Sequence, residues 1–342
     1  MTNRSMLACA RIRVAMMKPP LRLAGAIVVA MSVLVTAQSS SGRLLVLNKE
    51  DATFVIVNPD SGAILGKVPV GQGPHELVAS TDGKYAFAAN YGTGPAPGHT
   101  ISMIDIAAQK ELRRIDTAPL SRPHGLAFGG GKLYFTAEAD KKIARYDPAA
   151  DKIDWQFETG QNTTHMVLPT KDLRTFFTSN IASDSVSAIS QVADGSWTQT
   201  VIAVGKGPEG IDLSPNGREV WSAHSRDGGV SVIDVATKKV TATIPLGTKR
   251  SNRIKLTPDG KFALVSDIDT GEVVVVDTAA RKDIKHIALG RAPEGILIPP
   301  DGGRAFVAVN GDNHVAVIDL KTWTVTKKLQ TGTGPDGMAW VK

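Results

Sequence analysis

The chain has 342 residues, of which 42% are hydrophobic and 21% are charged, and this composition excludes both wholesale disorder and a fibrous repeat. The formal charge of +6 would suit a nucleic-acid partner, but five of the 39 basic residues lie within residues 1–37, where there is no acid. The remainder has 34 Lys and Arg against 33 Asp and Glu. Because binding to phosphates needs an excess of basic residues, we expect no nucleic-acid partner.

The N-terminal region has the pattern of a secretory signal peptide. Basic residues precede a nearly unbroken apolar run at residues 23–35, and small residues follow it. The run is shorter than the roughly 20 residues of a transmembrane helix. We therefore expect residues 1–37 to direct export to the periplasm or the medium, and residues 38–42 to be a short linker. The alternative is an uncleaved membrane anchor.

The only cysteine, Cys9, lies within this N-terminal segment. An exported chain cut after residue 37 would therefore have no disulfide, no cysteine-ligated zinc and no cysteine nucleophile. No later apolar run approaches 18 residues, so we expect no membrane span after cleavage. We expect the exported protein to be a monomer.

One sequence unit recurs along the rest of the chain. Each copy has a short motif of the type Gly-Pro-x-Gly, and we call its third residue the anchor. The seven anchors are 41–49 residues apart, and the longest spacing contains an inserted loop at residues 91–99. The anchors are His75, His124, His165, Glu209, Asn252, Glu294 and Asp336.

Each unit has the pattern of four β-strands. An apolar strand follows the anchor and leads to a turn such as Asp82-Gly83 or Asn216-Gly217, which favours a tight hairpin. Later segments are rich in β-branched residues, as at residues 230–234 and 273–277. No segment has the sustained 3.6-residue periodicity of an amphipathic helix, so helices should be nearly absent.

Units of 40–45 residues with four strands predict the blades of a β-propeller. A solenoid is the competing repeat fold, but it needs capping repeats, and none is visible. Residues 43–71 hold the second, third and fourth strands of a unit, and residues 337–341 hold only a first strand. Together they would complete one blade, so that no strand edge is exposed where the ring closes. We predict one all-β, seven-bladed propeller over residues 43–342.

The repeats resemble those of the YVTN family of β-propeller proteins. Residues 207–217 follow the first part of the family repeat, Phe87-Ala-Ala-Asn90 follows the second, and Val230-Ser-Val-Ile-Asp234 follows the third. The resemblance implies an extracytoplasmic seven-bladed propeller. Relatives of the family among seven-bladed propellers include lactonases and a metal-dependent streptogramin lyase, so lactonase-like chemistry is one function that the resemblance allows.

The anchors are candidate ligand-binding residues, because the first strand of a propeller blade lines the central channel. Imidazole and carboxylate side chains that converge in a cavity suit a divalent metal such as zinc, manganese or iron, with magnesium as a harder alternative. We take His75, His124 and His165 as the candidate metal ligands. The other interpretations are a site for an anionic or polar organic ligand, and a channel that is simply lined by solvated polar groups.

A second set of residues ends the second strand of each unit: Asn48, Asn90, Glu138, Asn180, His224, Asp267 and Asn310. Asn and Asp at such positions are expected to satisfy backbone groups at turns. Glu138 and His224 depart from that pattern and are the better candidates for a functional role. Arg253 stands where a small residue usually follows the anchor, and it would either hold a carboxylate or point to solvent.

These features favour an exported binding scaffold that takes a small polar ligand or a protein partner at the channel mouth. The alternative is a metal-dependent lactonase or lyase with a His/Glu site, and a second alternative is a structural protein of the cell envelope. No residue is assigned a catalytic role from the sequence. The candidate binding residues are the seven anchors together with Glu138, His224 and Arg253.

Overall fold

The computed structural model describes residues 42–342, and the expected signal peptide lies outside them. Seven separate four-stranded antiparallel sheets form the blades of a β-propeller, which confirms the predicted fold. Within the described residues the helices are two short 3-10 turns, Ile181–Ser183 and Asn310–Asp312. No helix in residues 42–342 combines the length and hydropathy needed to cross a membrane.

We number the blades I to VII and give their strands from the channel outwards. Blade I contains β28 (Pro335–Val341), β1 (Arg43–Asn48), β2 (Thr53–Val57) and β3 (Ile64–Pro69). Blade II contains β4 (Pro74–Ala79), β5 (Tyr85–Gly92), β6 (Pro97–Asp105) and β7 (Lys110–Asp116). Blade III contains β8 (Pro123–Gly129), β9 (Lys132–Ala137), β10 (Lys142–Asp147) and β11 (Lys152–Glu158).

The remaining four blades follow the same order. Blade IV contains β12 (Thr164–Pro169), β13 (Thr175–Asn180), β14 (Ser185–Gln191) and β15 (Trp197–Ala203). Blade V contains β16 (Pro208–Leu213), β17 (Glu219–His224), β18 (Gly229–Asp234) and β19 (Lys239–Pro245). Blade VI contains β20 (Ser251–Leu256), β21 (Phe262–Asp267), β22 (Glu272–Asp277) and β23 (Lys282–Ala288). Blade VII contains β24 (Pro293–Leu297), β25 (Arg304–Val309), β26 (His314–Asp319) and β27 (Thr324–Leu329).

Blade I joins the two ends of the propeller chain. Its inner strand β28 pairs antiparallel with β1, so that Leu44 lies opposite Trp340 and Val46 lies opposite Met338. The hydrogen bonds of this pair close the ring and leave no unpaired strand edge at the seam. The predicted exchange of terminal strands is thus confirmed.

The hydrophobic core is divided among the contacts between blades. Seven clusters of buried apolar side chains are present, one for each pair of neighbouring blades. In β22, Val274 packs towards blade V, whereas its neighbour Val275 packs towards blade VII. Since both faces of each sheet are covered, successive side chains are all buried, and this explains the unbroken apolar runs in the sequence.

A local irregularity directs the anchors into the channel. In all seven blades the pairing of the inner strand with its neighbour shifts register between the first and fourth residues of the inner strand. The anchor is the second residue of the inner strand in every blade, so it always lies within this irregular stretch. A bulge releases a side chain from regular alternation and re-aims it.

Candidate ligand site at the channel mouth

All seven anchors line one cavity of about 220 Å³, which we call the mouth cavity. The structure therefore brings together side chains from every blade, as the repeat pattern predicted. A further tier of side chains lines the same cavity: Lys49, Tyr91, Glu138, Ile181 and Ile268. Thr163, Arg250 and Arg253 complete the lining.

This further tier shows that the second set of residues was aligned wrongly at two positions. Asn90 pairs with Pro74, and Asn180 pairs with Thr164, each opposite the residue before an anchor. In blade III that place is held by Ala137.

Blade VII shows the same shift, because Val309 pairs with Pro293, the residue before its anchor. Glu138 and Asn310 therefore each lie one residue after the position that pairs with the residue before the anchor. Glu138 shares its position with Lys49 and Tyr91, and this explains why it reaches the mouth cavity.

The correctly aligned Asn and Asp side chains hold the backbone together. Asn90 Oδ1 accepts a hydrogen bond from the Gly71 backbone N–H at 3.0 Å, and Asp267 accepts two from backbone N–H groups at 2.7 and 2.9 Å. His224 is fully buried, and its Nδ1 lies 2.9 Å from Asp227 Oδ1. His224 does not line the mouth cavity, so only Glu138 of the two departures brings a functional group to it.

The closest pair of rings in the cavity is formed by histidines of blades III and IV. The ring centroids of His124 and His165 are 3.8 Å apart, and His165 Nδ1 donates to Glu138 Oε2 at 2.7 Å. One nitrogen of each ring and one oxygen of Glu138 lie within 4.8 Å of one another. His75 lies outside this group, with its ring centroid 5.3 Å from that of His124 and its Nδ1 donating to the Gly73 carbonyl. The predicted three-histidine set is thus replaced geometrically by His124, His165 and Glu138.

Two ring nitrogens in this group are buried without a partner. His124 Nδ1 and His165 Nε2 have no hydrogen-bond partner among residues 42–342. Burial, followed by the neighbouring histidines, lowers the pKa of His124 well below its usual value. Burial also lowers the pKa of His75, to about 4. His124 and His75 are therefore neutral near pH 7, and each has a ring nitrogen with a free lone pair.

Glu138 is fixed by two donors. Its Oε2 accepts from His165, and its Oε1 accepts from the Tyr91 hydroxyl at 2.6 Å. Burial alone would raise the pKa of Glu138, but the hydrogen bond from His165 and the charge of that ring outweigh burial and lower it. The carboxylate is therefore ionised and is held facing the histidine pair.

Hydrogen bonds join the backbones of blades III and IV and so bring the rings of His124 and His165 together. The Gly125 N–H donates to Thr136 Oγ1 at 2.8 Å, and this hydroxyl donates to the His165 carbonyl at 2.7 Å. Similar links through Ser179 and Ser266 join two other pairs of blades. A Cβ on Gly125 would lie 2.7 Å from the His165 carbonyl oxygen, so glycine is needed for this approach.

Ion pairs occupy the other side of the channel. Lys49 Nζ lies 2.7 Å from Glu294 Oε2 and 3.4 Å from Asp336 Oδ2. Burial by itself would lower the pKa of Lys49, but the charges of Asp336 and Glu294 outweigh burial and raise it. Lys49 is therefore a cation that is already neutralised by carboxylates.

Arg253 crosses the channel from blade VI. It donates to Glu76 of blade II, and its Nη1 is 4.0 Å from Glu209 Oε1. Arg253 is buried, so the interpretation in which it points to solvent was wrong, and the carboxylate that it holds in this structure is that of Glu76. Asn252 Nδ2 in turn donates to Glu209 Oε1 at 2.6 Å.

The charges of the channel leave an excess of carboxylates. Lys49 and Arg253 are its buried cations, and both are paired. Five carboxyl groups belong to the same region: Glu76, Glu138, Glu209, Glu294 and Asp336. Burial and the charge of Asp336 raise the pKa of Glu294 to about 7. Arg250 also lines the mouth cavity, but it is exposed. The buried part of the cavity is consequently better suited to a cation or a neutral polar molecule than to an anion.

Sequence reasoning missed Lys49, Tyr91 and Glu76. Tyr91 begins the inserted loop, and its hydroxyl and ring reach the site because β5 continues to Gly92. Glu76 could have been found by the same signal as Arg253, since both stand where four blades have glycine after the anchor. Lys49 occupies in blade I the position that Tyr91 occupies in blade II, and only the strand register reveals this equivalence.

The fold and the site define a seven-bladed β-propeller with a polar cavity at its channel mouth. The model of the YNCE-like beta-propeller family matches residues 129–304, just over half of the chain, and the chain therefore belongs to that family. This is consistent with the resemblance to YVTN-type propellers. No functionally curated protein has a sequence that matches this chain.

Solved structures share the fold at low sequence identity. A proposed 6-phosphogluconolactonase from Bacteroides fragilis NCTC 9343 aligns with a TM-score of 0.74 and 16% identity, over 90% of this chain and 99% of its own. A functionally unknown protein from Desulfotomaculum acetoxidans DSM 771 aligns with a TM-score of 0.74 and 11% identity, over 88% and 99% of the two chains. Hydrazine synthase from Kuenenia stuttgartiensis aligns with a TM-score of 0.65 and 19% identity, over 78% and 88%. At these identities the comparisons carry the fold and not the function.

Proposed function

We propose that this protein is an exported binding scaffold that takes a small polar ligand at the channel mouth. The observation that carries the proposal is the mouth cavity, which is lined by a polar anchor from each of the seven blades. Concave sites with a few convergent polar groups are the usual places for small-molecule binding. The volume of about 220 Å³ suits a ligand of metabolite size.

The charges of the cavity restrict the kind of ligand. Lys49 and Arg253 are already paired with carboxylates, so an anionic ligand in the buried part of the cavity would have to break those pairs and could otherwise reach only the exposed Arg250. A neutral or cationic molecule with hydroxyl or amino groups can instead donate to the carboxylates without breaking any ion pair. We therefore favour polyols, amino acids and amines over phosphorylated compounds.

Binding can be tested by thermal unfolding in EDTA with a panel of polyols, amino acids and diamines. A compound that binds the folded state raises the midpoint of unfolding. Ile181→Trp adds bulk at the mouth cavity, and Ile284→Trp makes the same change at an exposed site on β23. Stabilisation that is lost only in Ile181→Trp supports the proposal. Stabilisation that persists in Ile181→Trp would place the ligand elsewhere and overturn it.

Export is part of the proposal and rests on the pattern of residues 1–37. Protein recovered from the periplasm or the medium should begin near residue 38, as N-terminal sequencing would show. A full-length chain that stays with the membrane fraction would favour an uncleaved anchor instead.

A second candidate function is a metal-dependent lactonase or lyase, favoured by the convergence of His124, His165 and Glu138. In lactone hydrolysis the oxygen of water bonds to the carbonyl carbon, the ring C–O bond breaks, and the proton lost by water is balanced by one gained at the released oxygen. A neutral lactone would suit the cavity better than a phosphorylated one, because the buried cations are paired.

The enzyme candidate is tested with glucono-δ-lactone in a pH-stat, which follows acid release. Glu138→Gln should abolish any enzyme-dependent rate, whereas Glu272→Gln changes a carboxylate that faces His286 outside the cavity and should not. Equal rates for the wild type, Glu138→Gln and buffer would exclude this activity.

The structural-envelope alternative has less support, since the exposed large apolar side chains are spread over five blades.

A further inference from the structure

We infer that His124, His165 and Glu138 form a site for one divalent transition-metal ion at the channel mouth. The inference rests on the proposed function, because it takes the mouth cavity as the working site and assigns it an ion. It differs from the prediction made from the repeats, which grouped His124 and His165 with His75.

The distances fit a single ion. Metal bonds to imidazole nitrogen and carboxylate oxygen are about 2.0–2.2 Å long, so ligand atoms around one ion are roughly 3–4 Å apart. The three candidate donor atoms lie within 4.8 Å of one another. Small rotations of the side chains would bring them to bonding distance, and the cavity beside them leaves room for water or a ligand to complete the coordination.

The unpartnered nitrogens are the second observation. His124 is 2% exposed and His165 is 7% exposed, yet each has a ring nitrogen with no partner in the described part of the chain. Buried polar atoms without a hydrogen bond are costly, and native structures keep few of them. An ion at the edge of the two rings, where the in-plane lone pairs point, would give these nitrogens a partner.

The surroundings of the pair hold it in a ligating geometry. Glu138 accepts from His165 Nδ1, which holds its carboxylate beside the imidazole pair, and a rotation of Glu138 would exchange this hydrogen bond for a bond to the ion. Tyr91 fixes the other oxygen of Glu138, and the Thr136 hydroxyl joins the backbones of blades III and IV.

The chemistry of the donors indicates the class of ion. Two imidazoles and one carboxylate suit zinc, iron or manganese better than magnesium or calcium, which prefer oxygen ligands alone. The excess of carboxylates in the channel favours entry of a cation of either kind, so selectivity would come from the two histidines.

The inference is tested with Zn²⁺ as the probe, by isothermal titration calorimetry on the tag-free protein after treatment with EDTA and dialysis. We expect one equivalent to bind, and we expect His124→Ala, His165→Ala and Glu138→Gln each to weaken binding by 10-fold or more. His286→Ala is the matched control, because this exposed histidine also faces carboxylates, those of Glu272 and Asp283, and should change nothing. Unfolding curves of each variant separate loss of binding from loss of fold.

Substitution with Co²⁺ gives a second readout that does not depend on any variant. A site with nitrogen and oxygen ligands and fewer than six donors should give a visible absorption band that Zn²⁺ abolishes. The inference would be overturned if titration with Zn²⁺ gave no heat and Co²⁺ gave no absorption band. It would also be overturned if His75→Ala weakened Zn²⁺ binding more than Glu138→Gln does, or if His286→Ala weakened it equally. If stabilisation by a small ligand in EDTA is still lost in Ile181→Trp, the metal site fails while the binding function stands.

Discussion

Arg253 of blade VI donates a hydrogen bond to Glu76 of blade II, so that two residues 177 positions apart are joined across the channel. Both stand immediately after an anchor, where Gly125, Gly210 and Gly295 stand in other blades. Those glycines are packed against the backbone of the next blade. The two blades that carry a charged side chain instead direct it into the channel, where the opposite charges meet.

Removal of one partner of this pair should be strongly destabilising. Arg253→Met leaves Glu76 buried without its cation, and such a loss typically costs about 3–5 kcal/mol. Glu76→Gln leaves Arg253 with Glu209 at 4.0 Å, so its cost should be smaller. Urea unfolding of both single variants measures these costs.

The double variant Glu76→Gln/Arg253→Met completes the cycle. Because neither partner then leaves an unpaired charge, its stability should exceed that of Arg253→Met alone. Costs that simply add would show that the two residues do not interact in solution.

The glycine after His124 should be intolerant of even a methyl group. A Cβ on Gly125 would lie 2.6 Å from Met166 Cα and 2.7 Å from the His165 carbonyl oxygen, so blade IV would have to move. Gly125→Ala should therefore lower the free energy of unfolding by about 1–3 kcal/mol. Gly94→Ala is the matched control, because a Cβ there meets nothing within 4 Å. Equal stability of the two variants would show that the blades can separate at no cost.

The fold could be predicted from the sequence because the pattern of each blade lies within one short stretch of the chain. The anchor motif, the Asp82-Gly83 type of turn and the apolar third strand recur at a nearly constant spacing, and the split unit at the two termini predicts closure. Closure places the seven anchors around one channel, although the register shift that turns them into it is visible only in the structure. These features need no knowledge of how one blade faces another.

The composition of the site was only partly predictable, because it depends on register and on contacts across the channel. Glu138 was singled out as a departure, but its true position beside Tyr91 is set by the pairing of Pro123 with Ala137. The pairing of Arg253 with Glu76 depends on the diameter of the closed ring. No local pattern encodes either relationship.

His124→Ala should have a small effect on stability despite the burial of this histidine. Its Nδ1 has no partner to lose, and the side chain lies in the channel rather than in a core between blades. We expect a change of less than about 1 kcal/mol in the free energy of unfolding. Phe135→Ala, in the core between blades II and III, should cost about 3–5 kcal/mol. A comparable cost for His124→Ala would make this histidine a structural residue.

Deprotonation of Glu294 should lower the free energy of unfolding as the pH rises. Burial, together with the charge of Asp336, raises its pKa from a usual value of 4.5 to about 7 in the folded protein, although Lys49 and Arg253 oppose the shift. The folded state thus binds this proton more tightly than the unfolded state does. The resulting stabilisation is complete below pH 4.5, is lost between pH 4.5 and 7, and is absent above that range.

Glu294→Gln removes the titration and should change the pH dependence in a defined direction. Relative to the wild type, the variant should gain roughly 2–3 kcal/mol in the free energy of unfolding between pH 4.5 and pH 8. Glu272→Gln, on the surface, should show no such relative gain. Urea unfolding at a series of pH values measures the difference. A constant offset between Glu294→Gln and the wild type would mean that Lys49 keeps the Glu294 carboxylate ionised throughout this range.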